Sequence, residues 1–226
     1  MGNIEETLVV KPRVGVATSS GRAYFRISNL MKRTGIPFVD VVITGDRGDD
    51  ASLPFTAFRD YSLVITTRKE RIQFQSDNIV CEEDIGDDVG LAKQKLISLL
   101  YPVRSTDTFV VGIDPGKRTG LAAFLNQREI ESTVFMTQEA TLARVSALVD
   151  NAPGVRKVVN IGAGNPYLAL NLARMIEEKY KTLVEINLVN ESGTSNLRRR
   201  NRLVAGTRDQ RAARLIAFRT GVRYNP

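Results

Sequence analysis

The stretch from Thr108 to Met136 constrains the fold of this chain most. Three apolar, β-branched segments, TFVVGID (Thr108–Asp114), TGLAAFL (Thr119–Leu125) and EIESTVFM (129–136), are separated only by the turn sequence PGKR and by NQRE, whose Glu129 opens the third segment. Links that short join antiparallel neighbours, because a parallel partner needs a crossover of about a dozen residues or more. The period then changes. Residues 138–150 carry Leu142, Val145, Leu148 and Val149 at helical spacing, KVVNIG (157–162) is a fourth strand, and Asn165 or Pro166 opens a helix through YLALNLARMIEEKY. Proline belongs at such an opening, where its missing N–H has no intrahelical partner to lose. LVEINLVNE (183–191) is a fifth strand, and Thr207 or Asp209 opens a last helix through QRAARLIAF, stopped by Gly221. A mixed five-stranded sheet with its first three strands antiparallel is predicted for residues 108–226.

Residues 1–103 have a different rhythm. Strand-like runs at RVGVAT (13–18), PFVDVVIT (37–44), YSLVITT (61–67) and NIVCEED alternate with a helix through SSGRAYFRISNLMKRTG and another through LAKQKLISLLYP. Phe25, Leu30 and Met31 are expected on the apolar face of the first helix, Gly35 as its stop, and Asp87 or Asp88 as the cap of the second. This order predicts a small parallel α/β domain of Rossmann or flavodoxin type. The polar loop GDRGDDASLPF (45–55) follows a strand, where open α/β sheets place ligand loops. The chain has neither GxGxxG nor a Walker loop, so no nucleotide site is assigned there. YPVRSTD (101–107) reads as the linker between the two domains.

Residue types narrow the chemistry. The chain of 226 residues contains no histidine and one cysteine, Cys81. That removes Ser-His and Cys-His nucleophile pairs, disulfide frameworks and His- or Cys-clustered metal sites. Carboxylates holding a hard cation become the simplest catalytic option. The formal charge is +7. Much of it is concentrated in RRRNRLVAGTRDQRAARLIAFRTGVR (198–223), where Asp209 is the only acid. An excess of one sign favours an anionic partner such as nucleic acid, DNA or RNA. No apolar run approaches the roughly 20 residues of a membrane span. The opening MGNIEETLVV lacks the basic and apolar regions of a signal peptide, so a cytoplasmic protein without membrane contact is expected.

VGIDPGKRTGLAAF resembles the first hairpin of the RuvC and YqgF families, nuclease and resolvase domains of the ribonuclease H-like superfamily. The order of three strands, helix, strand, helix, strand, helix is also that of the ribonuclease H fold. In those families a metal-binding aspartate ends the first strand, and Asp114 matches it, with Gly116, Lys117 and Gly120 matching the hairpin. NESGTS resembles the acidic motif after the fifth strand, with Glu191 in the acidic place. RDQRAARLIA resembles the start of the last helix, with Asp209 in the acidic place.

The resemblance covers about half the chain, and it implies that Asp114, Glu191 and Asp209 converge as catalytic ligands of Mg²⁺ or Mn²⁺. It implies cleavage of structured nucleic acid, Holliday junctions included, with Lys117, Arg118, Arg198, Arg199, Arg200, Arg202, Arg208 and Arg211 facing phosphates. The expected function is a metal-dependent nuclease or resolvase, with a non-catalytic nucleic-acid-binding protein as the alternative and pairing into a homodimer left open. Many relatives carry a further acid at the end of the fourth strand, where this chain has Gly162. An actin-like kinase would share the hairpin, but it needs a second phosphate-binding glycine motif and about twice this length. Plainer roles exist for each acid: Asp114-Pro115-Gly116 is good turn chemistry, Glu191 suits a solvated strand end, and Asp209 suits a helix first turn.

Overall fold

The computed structural model describes residues 12–41, 58–74, 76–154, 156–190 and 206–226. It divides into two compact units, residues 1–100 and 101–226. In the first unit β1 (Val14–Val16), α1 (Gly21–Thr34), β2 (Val39–Asp40), β3 (Leu63–Thr66), α2 (Arg68–Arg71), β4 (Ile79–Cys81), α3 (Glu82–Ile85) and α4 (Val89–Leu100) follow in order. The sheet order is β2-β1-β3-β4 and every described pairing is parallel. Strands of a parallel sheet are covered on both faces, which is why β1 and β3 read as unbroken apolar runs. On one face Ile27 and Met31 of α1 and Ala92 and Leu96 of α4 pack on Val14, Val16, Leu63 and Ile65. The expectation for Phe25 is corrected: it is 66% exposed. The buried stripe of α1 is instead Ala23, Ile27, Ser28, Met31 and Thr34, and Phe25 falls outside that helical period. Asp88 is the cap of α4, accepting from the Leu91 N–H at 2.9 Å.

The expected loop at 45–55 lies outside the described residues. The crevice between β1 and β3 is filled from within. This crevice is where the strand order reverses, the place where open α/β sheets bind ligands. Here the buried carboxylate of Glu70 accepts from Thr18 Oγ1 at 2.6 Å, from the Ser19 N–H and Oγ at 2.7 Å each, and from Thr67 Oγ1 at 2.7 Å. Burial raises its pKa, but these four donors outweigh burial and bring it down to about 2.

The second unit is built on a six-stranded mixed sheet, β10-β9-β8-β5-β6-β7. Its elements are β5 (Thr108–Asp114), β6 (Thr119–Leu125), β7 (Arg128–Phe135), α5 (Gln138–Asp150), β8 (Arg156–Gly162), α6 (Pro166–Tyr180), a short 3₁₀ turn (Lys181–Leu183), β9 (Glu185–Val189), α7 (Arg208–Ala217) and β10 (Val222–Arg223). β5, β6 and β7 form the expected antiparallel meander, and β8 and β9 add in parallel beyond β5. The sixth strand, the two-residue β10, was not foreseen; it turns back against β9 after Gly221. The fifth strand is shorter than expected, because Leu183 sits in the 3₁₀ turn and is 75% exposed. All seven residues of β6 are buried, since α5 lies toward one face of the sheet and α7 covers the other.

Candidate functional site

The fit of α7 to the sheet decides where the carboxylates go. A Cβ at Gly112 would stand 2.5 Å from the Ala217 N and 2.8 Å from its Cα, and one at Gly120 would stand 2.6 Å from the carbonyl carbon of Asp209. Two glycines, one on β5 and one on β6, thus let the helix backbone rest on the sheet. Ala122 and Phe124 of β6 pack with Ala213 and Ala217 in the same layer. The helix is fixed at both ends. At its start the Thr207 hydroxyl accepts from the Gln210 N–H at 3.3 Å while Gln210 Oε1 accepts from the Thr207 N–H at 2.8 Å, a reciprocal capping box. Gln210 Nε2 also donates to the Ser132 carbonyl of β7 at 2.7 Å. Arg214 is held by both Glu129 oxygens, at 2.7 and 2.8 Å. At its end the buried Asn160 of β8 donates Nδ2 to the carbonyls of Ile216, Ala217 and Arg219, the closest at 2.8 Å to Ala217. The last carbonyls of a helix lack intrahelical donors, and Asn160 supplies one.

This seating sets Asp209 over the β5–β6 hairpin. Asp114 is the last residue of β5 and pairs with Gly120, the residue on which the Asp209 backbone rests. Asp114 lies two residues beyond Gly112, so it shares the face that α7 covers. Asp114 and Asp209 therefore stand at the same end of the same face. That end is also where β8 stops at Gly162 and β9 at Val189, a pair in register. Glu191 follows β9 by two residues and lies outside the described residues, as do Arg198, Arg199, Arg200 and Arg202. Among the described residues no three acidic, Cys or His side chains gather closely enough to hold a metal ion.

The cations near this end differ in their surroundings. Arg118, in the turn after β5, places Nη2 2.8 Å from Asp209 Oδ2. The contact is an ion pair without an aligned hydrogen bond, and Oδ2, although buried, has no hydrogen-bond partner among the described residues. Arg211 donates to the Gly206 carbonyl at 2.7 Å, while Lys117 and Arg208 are exposed. Two helix N-termini, those of α6 and α7, open toward this edge of the sheet, with Asn165 capping α6 through the Leu168 N–H at 3.2 Å. The residues that position the site, Gln210, Arg214, Glu129 and Asn160, were not singled out from the sequence. Only the Thr207-x-x-Gln210 capping signature gave a readable signal for them.

No family model matches the chain, and no curated protein matches it. Among solved structures it is similar to the crystal structure of Aa-Ago with externally-bound siRNA, at 10% identity and a TM-score of 0.25, over 79% of this chain and 35% of that one. The chain spans about a third of the length of that protein, and a likeness this low carries no inference about fold or function.

Proposed function

We propose that residues 108–226 are a ribonuclease H-like domain of RuvC/YqgF type that binds structured nucleic acid and cleaves it with Mg²⁺ or Mn²⁺. The observation that supports this reading is the seating of the Asp209 backbone of α7 on Gly120, the residue that pairs with Asp114 at the end of β5. The antiparallel β5–β6–β7 meander within a mixed sheet supports this reading. The residues fit a hard cation in their chemistry: two carboxylates at one end of one face, one of them with a buried oxygen that accepts no aligned hydrogen bond. Asp114 and Asp209 would hold the cation, with Glu191 as a third ligand. Such a cation supplies an activated water and stabilises the leaving oxygen of a phosphodiester.

The chain's own residues do the rest. Lys117, Arg118, Arg208, Arg211 and the arginines at 198–202 neutralise the backbone phosphates, whose contacts fix register without reading sequence. The N-termini of α6 and α7 add backbone N–H groups to the same edge. Gly112, Gly120 and Asn160 keep α7, and with it Asp209, at a fixed height above the sheet.

One observation favours the alternative of a non-catalytic nucleic-acid-binding protein: β8 ends at Gly162, so the sheet offers no acid there. A four-way DNA junction incubated with the protein and Mg²⁺ or Mn²⁺ separates the two. The proposal expects cleavage that Asp114→Asn abolishes while junction binding and the far-UV circular dichroism persist. Binding without cleavage by the wild type, with either cation, establishes the alternative instead.

A further inference from the structure

The ion pair between Arg118 and Asp209 has one fixed half and one movable half. Asp209 sits in the first turn of α7, held by the capping box at Thr207 and backed by Gly120, and its side chain is 18% exposed. Arg118 stands in the hairpin turn with its side chain 53% exposed, and its guanidinium is not aligned in a hydrogen bond with the oxygen it neutralises. The guanidinium can leave with little loss; the carboxylate cannot follow it. An aspartate whose inner oxygen is shielded from water needs a positive charge nearby. In the free protein Arg118 provides it.

We infer that Arg118 is a stand-in for the divalent cation at Asp209, and that a phosphate of the nucleic acid draws it away, so that nucleic acid and cation bind cooperatively. This rests on the proposal that Asp114 and Asp209 hold a cation. A guanidinium on Asp209 and a divalent ion on the same oxygen exclude each other, so Arg118 weakens cation binding in the free protein. A backbone phosphate offers Arg118 two oxygens in the fork geometry that it pairs with best. Once Arg118 turns to the phosphate, Asp209 is open to the cation. By linkage, the cation must strengthen nucleic-acid binding by the same factor. The consequence is a site that stays metal-poor until its substrate arrives.

The test measures Mn²⁺ affinity by calorimetry or electron paramagnetic resonance, on the full chain, with and without a four-way DNA junction. Arg118→Ala is expected to tighten Mn²⁺ binding of the free protein by about two- to fivefold, the range an exposed ion pair spans. The junction should tighten Mn²⁺ binding of the wild type by a similar factor and leave the variant unchanged. Arg118→Gln, which keeps most of the side chain, should behave like Arg118→Ala, and Mn²⁺ should raise the melting temperature of both variants more than that of the wild type. Unchanged or weaker Mn²⁺ binding in both variants, with wild-type binding lost in Asp114→Asn, overturns the inference and leaves the cation site standing. Absence of Mn²⁺ binding in wild type and variants alike overturns both.

Discussion

Glu70 shows how a single residue can close a site that the fold leaves open. Four hydroxyl and amide donors converge on its buried carboxylate and hold its pKa down to about 2. The charged form is favoured in the folded state, so folding binds fewer protons than the unfolded chain does. The stabilisation is fully present above the unfolded value near 4.5 and is lost as pH falls through about 2. A shift of this size corresponds to on the order of 3 kcal/mol. Glu70→Gln should therefore cost about 2–3 kcal/mol at neutral pH and flatten the acid limb between pH 4.5 and 2, read by urea denaturation at a series of pH values. An unaltered acid limb would mean that Glu70 is solvated and that the crevice between β1 and β3 is free. Cys81, by contrast, is buried, and burial pushes its thiol up, which suits a packing residue and not a nucleophile.

At the scale of elements, everything proposed for the site passes through α7. Gly120→Ala drives a methyl group into the Asp209 backbone, where no flexible side-chain end can yield. It should destabilise the second unit by about 1–3 kcal/mol and lift Asp209 away from Asp114, so that cleavage falls further than stability. Denaturation and cleavage measured on one preparation check both halves, and a variant as active as the wild type would show that α7 does not set the position of Asp209. Asn160→Ala strips the donor from the carbonyls of Ile216, Ala217 and Arg219 and should cost about 1–3 kcal/mol and loosen the seat of α7, as thermal melting would register.

The antiparallel meander within a mixed sheet was legible in the sequence because links of four residues or fewer and a switch from period two to helical period admit few topologies. The place of Asp114 at the end of β5 was legible through its hairpin. The contact of Asp209 with that hairpin was not, since the approach of α7 depends on glycines some 90 residues away in sequence and on Asn160, whose role is visible only across the sheet. Phe25 was misread because one apolar residue beside a stripe looks like part of it until the helix phase is known.

For the whole molecule, the nucleic-acid binding proposed above would be dominated by counterion release, given the excess of seven positive charges and the arginines at 198–202. Replacing Arg198, Arg199 and Arg200 with alanine should weaken binding to DNA and RNA alike and reduce the slope of log affinity against log salt by about 2–3. Fluorescence anisotropy over a salt series reads both, and an unchanged slope would remove these arginines from the interface. The central claim is that Asp114 and Asp209 act as one cation-holding unit in cleavage. Groups that share one cation fail together, so their losses do not add. The decisive measurement is the single-turnover cleavage rate of a four-way DNA junction in saturating Mg²⁺ for the wild type, Asp114→Asn, Asp209→Asn and the double variant. Each single substitution is predicted to lower the rate by on the order of a thousandfold or more, with the double variant no worse than either. Single variants that cut at the wild-type rate, or losses that multiply in the double variant, would contradict it.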